Sequence, residues 1–285
     1  MVPFSRYWAV ARGAKGRRRP FLRPEKEWMM EERSEDRQTP NLLLPFWGRL
    51  GITPWSFSLL IFAVLAAARF GAAFGPPPWR ILFLVHVLAM WALPWIFLNA
   101  QGRGEIGLCR PAKTFLALTL SAIAGSIAGW LCFALGHATP HDSPANLLAS
   151  VRHGLQLEQM RAALPLSVIL VAIGVPAVIL TPVGEEILFR GIMQQALAQR
   201  FNRTAATLVQ GVAFGIVHLQ LVALWRDAGG FHFRWLAGAA TVGGCVLLAA
   251  LFTACRTRSG SLYASMAAHA ACNLTMLGAV IFLYS

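Results

Sequence analysis

Seven apolar runs, each long enough to cross about 30 Å of hydrocarbon, limit what this chain can fold into more than any other feature. They extend from Phe57 to Ala73, Ile81 to Asn99, Phe115 to Leu135, Leu164 to Leu180, Ala205 to Trp225, Trp235 to Cys255 and Leu262 to Tyr284. In lipid, every backbone N–H and C=O has to be satisfied within the protein, and a run of this kind satisfies its own only as an α-helix. Of the 285 residues, 56% are hydrophobic and 13% charged. The mean hydropathy of +0.56 lies outside the range of water-soluble domains. The fold class expected is all-α, a polytopic transmembrane helical bundle. One further segment, Gly184 to Arg200, is shorter and more polar. Arithmetic places it in the membrane: counting from Asn202 in the polar turn Arg200 to Thr204, Glu186 lies 16 residues before and His218 16 residues after. In an antiparallel helical hairpin both sit at one depth, roughly 24 Å from the turn. Counted as a span, this segment brings the total to about eight membrane helices.

In a soluble protein, a formal net charge of +13 would point to nucleic acid. Here its distribution argues for the bilayer and against nucleic acid as a partner. Residues 1 to 23 carry Arg6, Arg12, Lys15, Arg17, Arg18, Arg19 and Arg23 with no acidic residue, and Glu25, Glu27, Glu31, Glu32, Glu35 and Asp36 follow. Residues 1–50 thus read as a basic, polar, cytoplasmic tail ending in an interfacial segment around Phe46 and Trp47. Residues 51–285 read as the transmembrane domain. Basic flanks stay in the cytoplasm, which puts the N-terminus inside. With eight spans, Arg103, Arg110 and Lys113 fall inside but Arg256 and Arg258 fall outside. Pro182 to Glu186 then face the cytoplasm, at a breaker cluster where one helix stops and another starts. Cys109, Cys132, Cys245, Cys255 and Cys272 form no C-x-x-C pair, so they read as packing residues rather than a disulfide or thiolate-metal framework.

Against this background, Glu185, Glu186 and Arg190 stand out, because an ionised side chain at bilayer depth costs roughly 2.5 kcal/mol or more and is seldom idle. Glu186 and Arg190 are i,i+4 neighbours and can pair. Glu185, rotated about 100 degrees around the helix, is left spare. His218 follows in the next apolar run, and His269 and Asn273 share a helical face in the last. A carboxylate and a histidine can hold a water, directly or through a metal, and the carboxylate can take its proton. A second histidine with an asparagine supplies donors for a developing oxyanion. Such a set can hydrolyse an amide.

The three motifs E-E-x-x-x-R (Glu185 to Arg190), F-x-x-x-H (Phe214 to His218) and H-x-x-x-N (His269 to Asn273), in this order on successive membrane helices, resemble the CPBP family. That family comprises the CAAX-protease and bacteriocin-processing membrane proteins, including the Ras-converting type of CAAX endopeptidase. The resemblance covers about 164–284 and includes the lead-in Arg256-Thr-Arg-Ser-Gly-Ser-Leu262; residues 1 to about 110 add nothing to it. It implies an intramembrane endopeptidase acting on a membrane-associated or lipidated protein or peptide. In that reading Glu185 activates water with His218, His269 and Asn273 stabilise the oxyanion, and Glu186 and Arg190 support the site. The family is commonly labelled metalloprotease, which leaves open a divalent metal such as zinc on Glu185, His218 and His269. The helical zinc signature H-E-x-x-H is absent, so a metal-independent step or a weakly held divalent ion is the expectation. The setting implied is a multi-pass protein of the bacterial inner (plasma) membrane.

Plainer readings exist for the same residues. The charged cluster could line a transporter cavity, although the chain shows no inverted repeat, or it could belong to a non-catalytic scaffold or bacteriocin-immunity-type protein of the same fold. His86 reads as hydrogen-bonded to a neighbouring helix. His137, His141, Asp142 and His153 share a loop interrupted by Pro140, which argues against a metal site, and His232 reads as interfacial. Gly238 to Ala240 and Ala267 to Ala271 read as close helix packing.

Overall fold

The computed structural model describes residues 42–283 except 141, 142, 144, 145 and 228. The N-terminal tail up to residue 41, and His141 and Asp142 of the long loop, lie outside the described residues. The described chain begins with Leu42 and Leu43, both buried, and the short helix α1 (Pro45–Arg49). This interfacial segment packs on the end of a later span: Leu43 bridges Leu98, and Trp47 donates to the Ile96 carbonyl at 3.3 Å. Next come α2 (Pro54–Phe74), α3 (Ile81–Phe97), the short α4 (Ala100–Glu105) and α5 (Thr114–His137). Two short helices follow, α6 (Leu147–Gly154) and α7 (Leu157–Ala163). The long helix α8 (Leu166–Ala198) is joined by a tight turn to α9 (Arg203–Ile216) and the single turn α10 (Leu219–Val222). A hairpin, β1 (Leu224–Asp227) and β2 (Gly230–Phe233), precedes α11 (Trp235–Ser259) and α12 (Leu262–Phe282).

Local sequence sets the boundaries. Thr53 and Ser56 form a reciprocal capping box ahead of α2, with Pro54 in the first turn. Asn202 caps α9 by accepting from Ala205 N–H at 2.8 Å. Gly260, at φ +70°, ends α11 in the left-handed conformation that closes helices.

Among the described residues, seven helices are long and apolar enough to cross a membrane, and the expected all-α polytopic architecture holds. The count of about eight is corrected by α8. Gly184 to Arg200 is not a separate span; it is mostly the second half of one helix of 33 residues that centres on Pro182. The Thr181 to Gly184 cluster therefore does not end a helix. Pro176 and Pro182 lack the N–H that an α-helix needs, and the helix carries them by loosening into π turns at Leu170–Gly174, Pro176–Leu180 and Glu186–Met193. Pro182 to Glu186 thus lie in mid-helix, not at a cytoplasmic end. The seven-span count also puts Arg256 and Arg258 on the same side as Arg103, Arg110 and Lys113, which removes the charge conflict of the eight-span arrangement. The hairpin arithmetic survives in part: α8 and α9 run antiparallel from the turn at Asn202, with Phe189 packed edge-on against Phe214 at 5.2 Å.

Small residues bring the helices close. A Cβ on Gly125 of α5 would lie 1.9 Å from the Ala268 carbonyl oxygen of α12, and one on Gly129 2.5 Å from that of Cys272. Gly215 of α9 similarly faces the Val242 backbone of α11 at 2.8 Å. All five cysteines are free thiols.

The connection between α10 and α11 forms the one two-stranded sheet among the described residues. Leu224 pairs Phe233 and Asp227 pairs Gly230 in an antiparallel register. His232 stacks on Trp225 and donates to Asp227 at 2.9 Å. The His232 ring and the Gly229 N–H hold the Asp227 carboxyl below its ordinary range. The hairpin leans on the end of α2, where Arg226 donates to the Phe74 carbonyl at 3.3 Å.

Candidate active site

The second half of α8 turns four side chains inward and buries them almost completely: Glu185 is 2% exposed, Glu186 and Arg190 0%, and Gln194 4%. Burying isolated charges at this depth is costly, and the structure meets the cost with two ion pairs. Within α8, Arg190 Nη1 lies 3.1 Å from Glu186 Oε1, the i,i+4 pair expected from spacing. Between helices, Arg69 Nη1 of α2 stands 2.5 Å from Glu185 Oε1. Glu185 is therefore not the spare carboxylate that the sequence suggests. Two cations face two anions, so the cluster adds no net formal charge while its histidines are neutral.

His269 of α12 joins the two carboxylates. Its Nδ1–H donates to Glu186 Oε1 at 2.9 Å, and its Nε2 lies 3.7 Å from Glu185 Oε2. A carboxylate accepts, so the Nδ1 contact fixes the proton on that nitrogen and turns Nε2 toward Glu185. The ring is clamped by aromatic neighbours. It stacks on Phe252 of α11 at 4.7 Å and meets Phe214 of α9 edge-on at 5.6 Å. Arg190 lies over the same two rings, 4.3 Å from the centroid of Phe214 and 5.1 Å from that of Phe252.

His218, at the end of α9, donates Nδ1–H to the Phe214 carbonyl at 2.7 Å. A carbonyl can only accept, so Nε2 keeps its lone pair. The ring is within electrostatic reach of the Glu185 carboxylate. Phe214, the first residue of F-x-x-x-H, thus touches Arg190, His218 and His269 at once.

Asn273, one turn beyond His269, is engaged with the backbone: its Nδ2 donates to the Ala177 carbonyl at 2.8 Å. The reason lies in α8. Thr181 N–H bonds back five residues to Pro176, so the next N–H in that ladder, at residue 182, would meet Ala177. Residue 182 is proline, and Asn273 supplies the missing donor.

The lead-in to α12 orders the entry of that helix. Arg256 donates to the carbonyls of Ile106 and Glu105 at 3.1 and 2.8 Å. Ser261 donates to the Cys109 carbonyl, and Leu262 N–H to that of Gly107 at 2.8 Å. This motif fixes where His269 stands by docking α12 to the 105–109 loop.

Two residues of the cluster, Arg69 and Phe252, are absent from the sequence reading. Arg69 was detectable, since a charge inside the run Phe57 to Ala73 is as costly as Glu185. Its partner was not, because nothing in the sequence says which helix α2 meets. Phe252 carries no signal among so many apolar residues. His86 bonds a neighbouring helix as expected: Nδ1–H donates to the Leu65 carbonyl of α2 at 3.0 Å.

Among the described residues, no three His, Cys, Asp or Glu side chains gather as a ligand group. Glu185 Oε1 is held by Arg69, His269 Nδ1 by Glu186 and His218 Nδ1 by the Phe214 carbonyl, so a divalent ion here would be held through Glu185 Oε2 and the Nε2 atoms of the two histidines.

Residues 166–275 match the family model described as "Type II CAAX prenyl endopeptidase Rce1-like". The chain is 30% identical over 199 residues to the Bacillus subtilis (strain 168) protein named "Putative membrane peptidase YdiL", an alignment covering 63% of this chain and 73% of that protein. No solved structure matches. Glu185, Glu186, Arg190, His218, His269 and Asn273 all lie within the matched stretch, and the chain belongs to the Rce1-like type II CAAX prenyl endopeptidase (CPBP) family of membrane peptidases.

Proposed function

We propose that this protein is an intramembrane endopeptidase that hydrolyses a peptide bond in a membrane-associated or lipidated protein or peptide. The observation that carries the reading is the junction at His269, where one imidazole faces both buried carboxylates while His218 lies within electrostatic reach of Glu185. Family membership supports a protein substrate. We assign the protein to the bacterial plasma membrane with its N-terminus in the cytoplasm, since the loops with Arg103, Arg110, Lys113, Arg200 and Arg203 then lie inside.

In this mechanism a water gives one hydrogen bond to the Glu185 carboxylate and the other to Nε2 of His218. Glu185 takes the first proton as the water oxygen bonds to the scissile carbonyl carbon. The carbonyl π pair moves onto oxygen, where His269, protonated on both ring nitrogens in this step and donating from Nε2, and the second amide N–H of Asn273 stabilise it. The carbonyl re-forms as the C–N bond breaks, and the proton held by Glu185 passes to the leaving nitrogen. The new carboxylic acid then loses its proton to the amine, leaving a carboxylate, an ammonium group and ionised Glu185. Arg190 keeps Glu186 charged and in place to hold His269.

The test is to compare newly formed peptide termini in membranes containing the native protein and Glu185→Gln at matched expression. Termini found only with the native protein are expected, with a loss of at least 100-fold in the variant, the scale of an acid–base group (about 10²–10⁴). Equal termini from both would sink the assignment and favour a non-catalytic scaffold of the same fold.

A further inference from the structure

We propose that Arg69, from the first membrane helix, is a positioning residue for hydrolysis: it anchors Glu185 through Oε1 and thereby leaves Oε2 as the oxygen that takes the proton from water. The inference rests on the reading of Glu185 as general base. Arg69 lies outside the 166–275 family match, so it is a contribution of this chain's own N-terminal half.

The geometry is a one-point grip. Arg69 Nη1 is 2.5 Å from Oε1, while Oε2 faces His269 Nε2 at 3.7 Å, a separation too long for a direct hydrogen bond. A two-point guanidinium fork would occupy both oxygens and leave none for the reaction. With one oxygen held, the carboxylate cannot exchange its oxygens about its terminal torsion, which is otherwise broad and two-fold. Solvent does not compete for the contact, because Arg69 is 7% exposed and Glu185 2%.

The anchor is itself supported. His86 of α3 donates to the Leu65 carbonyl, one turn before Arg69 on α2, so α3 holds α2 at the level of the arginine. Arg69 Nε and His86 Nε2 are buried without hydrogen-bond partners, and among the described residues Glu185 is the ion-pair partner of Arg69. The guanidinium therefore has one anion to serve, and that anion is the base.

The experiment follows cleavage in isolated membranes, first as the rate at which the native terminus appears, then with a synthetic peptide spanning that site. Arg69→Met is expected to lower kcat on the order of 100-fold, the loss that follows a misplacement of about 1 Å, with KM unchanged. Arg69→Lys keeps a cation and is expected to retain kcat within about 10-fold of native, its ammonium being a point charge on a flexible stem. Arg69→Ala is expected to regain activity when guanidinium salt is added to the membranes, a rescue that a purely structural role does not produce. Arg69→Met at native rate beside an inactive Glu185→Gln would overturn the anchoring and leave the base standing. Equal losses in Arg69→Met and Arg69→Lys, with no guanidinium rescue of Arg69→Ala, would also overturn it. Full activity of Glu185→Gln would remove both readings together. If Arg69→Ala fails to insert, the contrast between Met and Lys decides.

Discussion

In the proposed site single residues carry two jobs, and Asn273 is the clearest case. Its place on the H-x-x-x-N face was legible from spacing, and it suggested an oxyanion donor. The folded chain adds a structural duty, since Asn273 satisfies the Ala177 carbonyl that Pro182 leaves without an N–H. A buried carbonyl left unpaired costs about 1–3 kcal/mol. Asn273→Ala should therefore lower stability in detergent by that amount. Adding Pro182→Ala, which returns an N–H to the ladder, should recover part of it. A double-mutant cycle on thermal unfolding measures this directly, and additive effects would show that the two residues do not share the carbonyl. Any activity lost by Asn273→Ala and still missing in the double variant belongs to the reaction. Arg69 teaches the complementary lesson: its cost at depth is visible in the sequence, yet pairing across 116 positions is not.

Elements here are placed by what they lack as much as by what they carry. α5 approaches α12 through Gly125 and Gly129, and the first of these faces the carbonyl of Ala268, the residue before His269. Gly125→Ala would drive a methyl group against backbone that has no room to give. We expect a loss of about 1–3 kcal/mol, typical of overpacking, and a fall in activity through displaced His269. Gly243→Ala on α11 is the control, because nothing lies within 4 Å of its Cβ position. Unfolding midpoints and cleavage rates of the two variants should separate cleanly, and equal behaviour would show that the contact does not set the helix spacing. Small residues at interfaces were readable as packing from sequence. Which helix each one meets was not, because glycine and alanine patterns recur on every span.

For the whole molecule, the decisive matter is the number of crossings. Seven spans place the turn at Asn202 and the end of α11 on the side of the Gln101 to Lys113 loop, whereas eight place them opposite. In a cysteine-free background, Asn202→Cys and Ser259→Cys should react with impermeant thiol reagents from the same side as Pro111→Cys; labelling from the other side would restore the eighth span. The sequence by itself determined that the chain is a helical membrane protein, where its costly buried charges fall, and which family its motifs resemble. The first two follow from local terms, namely run length and the cost of buried charge, and the third from three short motifs in order. Tertiary structure alone decided that α8 runs unbroken through two prolines, that Glu185 is held by Arg69, and that His269 stands between two carboxylates. Each of these depends on partners from distant segments: a carbonyl freed in one helix, an amide offered by another, and a charge neutralised across an interface whose geometry no single segment encodes.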